Sequence, residues 1–475
     1  YVPGQKIDKD PTVTLEAGSV ASYAALKVQY FDSSNNAVTR EEFGNKYLNK
    51  DTSATQEDAG IDYSDKWEYI GTVSEEKADV YLINTCSVTN MADKKSRQMI
   101  HRAKKLNPDA VVIAAGCYVQ AAKNKLMEDD RISIIIGNNK KKDIVRILED
   151  YLQAGVTDKG MLDISAEKEY EPLTINSTLE HTRAYVKIQD GCNQFCSYCI
   201  IPYVRGRIRS RDIASIIEEV ERLALTGVKE IVLTGIHISS YGKDKENEVG
   251  LADVIDAISK IESIKRIRLG SLEPSIITDE FIDRIVDNEK VCPHFHLSLQ
   301  SGCNTVLKRM NRKYTCEEYF EKCEMLRKAF DRPALTTDVI VGFPGETEEE
   351  FRETVDYLTK LNLYEMHIFK FSPRQGTVAA GMKDQVAPEI KNQRSDVLLA
   401  LSERNKQAYE ASFRGENLDV LVEEKVRREG KDGYRGHTER YMDIFVEEEC
   451  MHRICGRQTD IINHVVKIPY GVGVE

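Results

Sequence analysis

Short apolar runs alternate with longer segments of helical spacing along most of this chain. "ADVYLIN" (78–84), "AVVIAAG" (110–116) and "ISIIIG" (132–137) have the pattern of buried strands. "ADKKSRQMIHRAKKL" and "KKDIVRILEDYLQ" instead place apolar residues three and four apart, with charged faces between them. Strands alternating with helices predict a small parallel α/β domain over 66–154. From Arg183 the alternation resumes, with strands expected at "AYVKIQ", "EIVLTG", "RIRLGS", "FHLSLQ", "LTTDVIVGF" and "EMHIFKF" and helices such as "DIASIIEEVERLAL" and "EEYFEKCEMLRKAF". Six such units predict a partial β/α barrel over 183–405, whose active face lies at the strand C-termini. After a helical stretch near 387–412, "GENLDVLVEE", "GYRGHTERYMDIFVEE" and "DIINHVVKIPYG" alternate apolar and polar residues, which predicts a small antiparallel barrel over 406–475. The fold class is therefore α/β with a β-rich C-terminus.

Two segments break the pattern. Residues 155–182 are polar and aperiodic, as in a linker. Residues 1–65 hold short alternating segments such as "TVTLEA" and "AALKVQYF" among Pro, Gly, Ser and Asn, which reads as exposed strands and turns in a different style.

At 475 residues the chain exceeds one ordinary core. No run of about eighteen apolar residues occurs, so no membrane span is expected. The chain opens on Tyr1 without a charged-then-apolar leader, so it is expected to be a fragment or a processed form. Net charge is −12, which argues against a uniformly basic nucleic-acid binder. Residues 1–80 hold 15 Asp/Glu and 8 Lys/Arg, a balance of −7, so the other 395 residues carry only −5. Eleven cysteines, none before Cys86, form no secreted disulfide framework. Thiols acting as metal ligands in a reducing cytoplasm fit better.

In "DGCNQFCSYCIIP", Cys192, Cys196 and Cys199 lie within eight residues, on the loop after the first barrel strand. Paired zinc knuckles need two Cys-x-x-Cys pairs or nearby histidines, and neither is present. A four-iron cluster on three thiolates leaves one iron open to bind and reduce a small molecule. The rival reading, three incidental core thiols, does not account for such density on a loop.

"CNQFCSYC" resembles the signature of radical S-adenosylmethionine (SAM) enzymes, and "DGCNQFCSYCIIPYVRGRIRSR" is similar to their methylthiotransferase branch. "INTCSVTNMADKKSRQMIHRAKKLNPDAVVIAAGCYVQ", "IGNNKKKD", "LTGIHISSYGKD", "RLGSLEPS", "HLSLQSGCNTVLKRMNRKYT", "DVIVGFPGETEEEF" and "FKFSPRQGT" match the same branch from about Trp67 onward. The final barrel resembles the family's RNA-binding TRAM domain. "CIIPYVRGRIRSR" is closest to the subgroup acting on N6-threonylcarbamoyladenosine at position 37 of tRNA. Sibling subgroups act on isopentenyladenosine in tRNA or on a ribosomal protein. The resemblance implies that a [4Fe–4S] cluster on Cys192, Cys196 and Cys199 cleaves SAM to a deoxyadenosyl radical. A methylated sulfur is then delivered to C2 of the adenine, which requires tRNA, an electron donor and a sulfur source as partners. Tyr198 matches an aromatic position that helps seat the cofactor's adenine; a packed aromatic is the alternative.

The resemblance also implies a second cluster, held by three cysteines of the N-terminal domain. Cys86 in "NTC" and Cys117 in "GCY", each just past a strand, match two of them. The third belongs about 35 residues before Cys86, where no cysteine exists, and the unmatched stretch 1–60 is read as a replaced N-terminus. Recruitment of Cys292 or Cys303 would be needed to complete that site. This leaves a catalytically impaired RNA-binding relative as the alternative to a working enzyme.

Other candidates are less specific. Arg205, Arg207, Arg209 and Arg211 alternate past the thiol loop, suited to tRNA phosphates, a cofactor carboxylate or plain solvent. Gly342, opening "GFPGE", could let backbone approach a cofactor, though tight turns use Gly anyway. Glu273, ending a barrel strand, is either a partner for the cofactor's polar groups or a helix cap. His294 and His296 read as strand residues, and Cys316 and Cys323 as core. Cys450 and Cys455 flank "MHRI" in the terminal barrel without further ligands.

Overall fold

The structure, a computed structural model, describes residues 78–86, 90–122, 126–155, 163–173, 182–247, 249–456 and 461–471, and the backbone of four strands further upstream. The chain forms two compact units. One comprises 1–174 with 200–207; the other comprises 175–199 with 208–475.

The first unit is built on one five-stranded sheet. Its upstream strands are β1 (Ser22–Val28) and β4 (Trp67–Tyr69), with β2 (Tyr30–Phe31) and β3 (Ala37–Val38) pairing separately. β5 (Val80–Thr85), β6 (Val111–Gly116) and β7 (Ile134–Ile136) complete it, in the order β4-β1-β5-β6-β7. β5, β6 and β7 run parallel, and their largely apolar sequences suit strands covered on both faces. β1 runs antiparallel to both β4 and β5, so at least this part of the upstream segment belongs to the sheet rather than standing apart as an exposed strand. The remaining expectations for 1–65 fall outside the described residues. Helices α1 (Asn90–Leu106), α2 (Cys117–Ala121) and α3 (Ile144–Ala154) follow β5, β6 and β7. In the expected linker, the described residues 163–173 contain neither helix nor strand.

The second unit opens with β8 (Arg183–Asp190) and continues through β10 (Glu230–Gly235), β11 (Arg266–Leu269), β12 (His294–His296), β13 (Ala334–Val341) and β14 (Glu365–Lys370). Parallel pairing joins β8, β10 and β11, and then β12, β13 and β14. The bridges Ile267↔Val291 and Leu272↔Leu297 link the two runs into one curved half-barrel, as the six alternating units predict. Among the described residues β14 remains an unpaired edge; at the other end the short β9 (Arg209–Ser210) pairs antiparallel with the last residues of β8.

The helices on the outer face are α5 (Ile213–Leu225), α6 (Leu251–Ser259), α7 (Asp279–Val286), α9 (Cys316–Ala329), α10 (Glu348–Leu361) and α11 (Pro388–Ala411); α8 (Asn304–Arg309) packs instead with Phe343 and Tyr198, and the five-residue α4 (Ile201–Arg205) belongs to the first unit. α9 and α10 start at capping boxes, Thr315 with Glu318 and Thr347 with Glu350, each satisfying two orphan backbone donors. Outward strand residues such as Ala184, Ile231, Ile267, Phe295 and Val339 pack with these helices in one large core that includes Cys323, while Cys316 is buried beside it.

The inner face of the half-barrel is polar instead. Glu230 accepts two bonds from Arg268, at 2.7 and 3.2 Å, and lies 3.7 Å from Arg266. All three are buried, against the usual exposure of charged side chains.

The C-terminal strands β15 (Asn417–Arg428), β16 (Lys431–Thr438), β17 (Asp443–Glu447) and β18 (Val465–Pro469) form a curled antiparallel sheet in the order β17-β16-β15-β18. A helix absent from the sequence reading, α12 (Glu448–Cys455), packs on it and carries both Cys450 and Cys455. This sheet belongs to the same unit as the half-barrel, and the join is specific. Arg266 donates to the carbonyls of His437 and Asp419, and Arg268 to those of Glu439 and Thr438. Tyr441, in the β16–β17 turn with φ 66°, lies 5.0 Å from the Arg183 guanidinium and 4.8 Å from that of Arg268, and its ring stacks on His437. A turn of the C-terminal sheet thus closes the lower end of the half-barrel.

Candidate active site: a three-thiol loop and its polar frame

Cys192, Cys196 and Cys199 follow β8 at its carboxyl end, on a partly exposed loop, and none is in a disulfide. The loop turns through Phe195, held at φ 51°, and Asn311 Nδ2 donates to the Phe195 carbonyl at 2.9 Å. Ser197 bonds the 309–310 backbone twice: its N–H donates to Met310 O at 3.0 Å and its hydroxyl to Arg309 O at 2.8 Å. The sulfurs themselves receive N–H groups. The Gln194 amide donates to Cys192 Sγ at 3.4 Å, and Arg312 Nη1 donates to Cys196 Sγ at 3.1 Å. Burial pushes the Cys192 thiol up to about 11, so metal binding there must displace a proton. Three closely spaced thiols with N–H donors on two of their sulfurs suit an iron–sulfur cluster, whose properties depend on such hydrogen bonds. The donor set fits the cofactor expected from the sequence.

Glu273 lies four residues past the end of β11 and makes no side-chain cap on the short helical turn that follows it, Pro274–Ile276. Glu273 stands at the N-cap position of that turn, but its carboxylate does not serve as the cap. Its buried carboxylate accepts from Gln194 Nε2 at 2.8 Å and Arg312 Nη2 at 3.2 Å, and it pairs closely with His237. Burial alone would raise its pKa; His237 and Arg312 outweigh this and hold it below the ordinary carboxylate value. Arg312 also bonds the Ser298 carbonyl and the Tyr314 hydroxyl. The sequence reading named neither Arg312 nor His237. Their only signal was membership of the quoted stretches "MNRKYT" and "TGIHISSYG".

Tyr198 packs with Phe343, Phe371, Met310 and Cys303, as a packed aromatic does. Burial, reinforced by the neighbouring Cys196 and Cys199 thiols, raises its hydroxyl well above the ordinary value. Gly342 has φ 69°, where only glycine is unstrained, and a Cβ there would press on the Lys391 side chain. Its N–H already donates to Glu346 Oε2 at 2.7 Å, and Glu346 is ion-paired to buried Arg394 at 2.6 Å. This turn is therefore closed on itself.

Of the alternating arginines, Arg209 and Arg211 point into the fold. Arg209 is 1% exposed and lies 3.8 Å from Asp190, and Arg211 pairs with buried Glu219. Neither is placed to meet phosphate. Arg207 is exposed. Arg205, in the first unit, donates from Nε to Cys117 Sγ at 3.0 Å. Cys86 and Cys117 each follow a strand whose last residues, Thr85 and Gly116, are register partners, so both thiols belong to one sheet edge. The first unit holds only these two cysteines, one short of the expected ligand set. Cys292 and Cys303 are both buried in the second unit, and burial pushes Cys292 up to about 12. These residues do not fit a three-thiolate auxiliary cluster.

A half-barrel of six parallel strands with three thiols on its first loop defines a radical SAM core. The radical SAM superfamily model matches residues 186–358, and the model described as uncharacterized protein family UPF0004 matches 58–137. The threonylcarbamoyladenosine tRNA methylthiotransferase MtaB of Bacillus subtilis is 43% identical over 373 residues, covering 78% of this chain and 82% of that protein. MtaB of Aquifex aeolicus is 40% identical over 78% of this chain and 88% of its own length. A tRNA-2-methylthio-N(6)-dimethylallyladenosine synthase of Thermoanaerobacter pseudethanolicus is 38% identical, with 77% and 78% covered. Among solved structures, the radical SAM methyltransferase TsrM of Kitasatospora setae shares the fold, with TM-score 0.51, 16% identity and 65% of each chain covered. The chain belongs to the radical S-adenosylmethionine methylthiotransferase family. Its cofactors are accordingly a [4Fe–4S] cluster and SAM.

Proposed function

We propose that this chain methylthiolates C2 of N6-threonylcarbamoyladenosine in tRNA. The observation that carries this reading is the thiol loop framed by Arg312, Glu273 and His237, in a chain 43% identical to a threonylcarbamoyladenosine tRNA methylthiotransferase. When bound to the thiols of Cys192, Cys196 and Cys199, the cluster supplies SAM with the electron for radical chemistry. The protein's share is positioning. Arg312 ties one sulfur to the Glu273 carboxylate, which stays ionised and can accept from polar N–H or O–H groups of the cofactor. Tyr198 and its aromatic neighbours exclude water behind the loop. The C-terminal sheet is assigned to RNA binding, residues 183–405 to radical chemistry, and the partners to tRNA, an electron donor and a sulfur source. Among the described residues no helix is long and apolar enough to cross a membrane; the proposed tRNA substrate is what supports assigning the reaction to the cytoplasm.

The test is expression in a strain lacking its own enzyme, with tRNA nucleosides read by mass spectrometry. Appearance of 2-methylthio-N6-threonylcarbamoyladenosine supports the reading; unmodified nucleoside overturns it. The two-thiol edge of the first unit favours a second reading, a chain that cleaves SAM without completing sulfur transfer. Iron separates the two: about eight per chain for two clusters, about four for one.

A further inference from the structure

On the inner face of the half-barrel, His296, Asp338 and His367 stand on three consecutive parallel strands. Register pairs His296 with Thr336 and Asp338 with His367. His296 Nε2 lies 3.3 Å from Asp338 Oδ2, and the two imidazoles stack with centroids 5.6 Å apart. One ligand atom from each residue lies within 4.8 Å of the others. Thr336 Oγ1 engages His296 Nδ1 at 3.0 Å and fixes the ring. Nε2 is buried and makes no hydrogen bond among the described residues.

The position of this cluster gives it a task. His296 precedes Ser298 by two residues, about 7 Å along a strand. The Ser298 carbonyl accepts from Arg312, so the cluster sits on the inner face one step from the frame of the thiol loop. His367 is exposed on the unpaired edge strand β14, where Phe369 on the same face is 50% exposed, and Tyr185 on the inner face of β8 is 37% exposed. Aromatic rims flanking an opening suit a nucleobase that has left its stack. On the same wall stand the polar His296, Asp338 and His367, and a hydrocarbon group pressed on them would desolvate Asp338 and offer His296 Nε2 no hydrogen-bond partner.

We propose that His296, Asp338 and His367 form the pocket that receives the N6 substituent of the target adenosine and selects the polar threonylcarbamoyl group over a dimethylallyl group. This rests on the proposed function and adds the residues that choose the substrate. A threonylcarbamoyl group offers N–H and hydroxyl donors to Asp338 and a carboxylate acceptor to the two imidazoles. A dimethylallyl group offers neither.

The experiment measures binding of the reconstituted protein with SAM to three anticodon stem-loop RNAs. These carry threonylcarbamoyladenosine, dimethylallyladenosine or plain adenosine at the target position. The unsubstituted protein is expected to prefer the first over the second by ~10-fold or more, because a site built for hydrogen bonds rejects an analogue lacking them. His296→Leu and His367→Phe bring that ratio to within about threefold of unity, whereas His296→Gln, which keeps a polar group, retains it. Iron content and circular dichroism matching the unsubstituted protein establish that the variants are folded; should either leucine or phenylalanine variant misfold, the other carries the test. If the protein prefers threonylcarbamoyl RNA and both folded variants keep that preference, the pocket assignment is wrong while the proposed function stands. If it prefers neither modified RNA, the proposed function fails and the assignment falls with it. Stoichiometric uptake of zinc lost in His296→Leu, with RNA selectivity unchanged, would also overturn the pocket in favour of a metal site.

Discussion

Arg312 donates one N–H to Cys196 Sγ and another to Glu273, and so ties one of the three loop thiols to the Glu273 carboxylate. The guanidinium is buried, and its fork meets two acceptors that a lysine ammonium could not reach together. Arg312→Lys is expected to lower iron retention or 5′-deoxyadenosine formation by ~10–100-fold, the range typical of groups that orient metal ligands. Iron analysis and product chromatography under strong reductant read both quantities. Wild-type values for the variant would dissociate Arg312 from the site.

The thiols themselves make a sharper prediction. Cys192→Ala, Cys196→Ala and Cys199→Ala should each cost about four irons per chain and abolish 5′-deoxyadenosine formation. Because all three lie on a partly exposed loop rather than in a core, the melting temperature of cluster-free protein should barely change. Anaerobic iron counting beside calorimetry checks both halves.

Glu230 links the inner face to pH. Burial pushes its pKa up, but Arg268, Arg266 and Arg183 outweigh this and hold it below its ordinary 4.5. A carboxyl with a depressed folded pKa contributes stability that is fully present above about pH 4.5 and is lost as pH falls through the folded value. Glu230→Gln leaves buried arginines without their counter-charge and should cost roughly 3–5 kcal/mol at neutral pH. The gap between variant and wild type should narrow in acid. Urea midpoints at several pH values test the sign; a gap that widens as pH falls would refute it.

Tyr441 is expected to matter for folding rather than chemistry. Its ring meets two guanidiniums and two imidazoles, contacts that together contribute about 2 kcal/mol. Tyr441→Ala should lose that amount in denaturant unfolding, and Tyr441→Phe should keep most of it.

Much of the fold was legible because α/β units write themselves twice, once as apolar runs and once as helical spacing. "EIVLTG" marks β10 to the residue, and the thiol loop falls where the first barrel strand ends. Less legible was what depends on partners distant in sequence. "RIRLGS" reads as a strand, yet nothing local says that Arg266 and Arg268 are buried against Glu230 and the backbone near Thr438. Arg209 and Arg211 looked like a solvated basic stripe for the same reason, their partners Asp190 and Glu219 being invisible to spacing. Helix α12 was missed because it starts at Glu448 directly after the last residue of β17, with no turn residue to separate "DIFVE" from "EECMHRIC". Glu273 was found as a partner for the cofactor's polar groups, but not the Arg312 and His237 that hold its carboxylate from separate loops.

The turn that stoppers the half-barrel has a consequence for catalysis. Withdrawing Tyr441 and its neighbours would strip two buried arginines of four carbonyl acceptors, so the C-terminal sheet cannot swing away cheaply. If that sheet binds RNA as proposed, its grip and the three-thiol loop travel as a single body within this unit. An adenine held on that sheet would have to meet the thiol loop by a change in the RNA, not by a swing of the sheet.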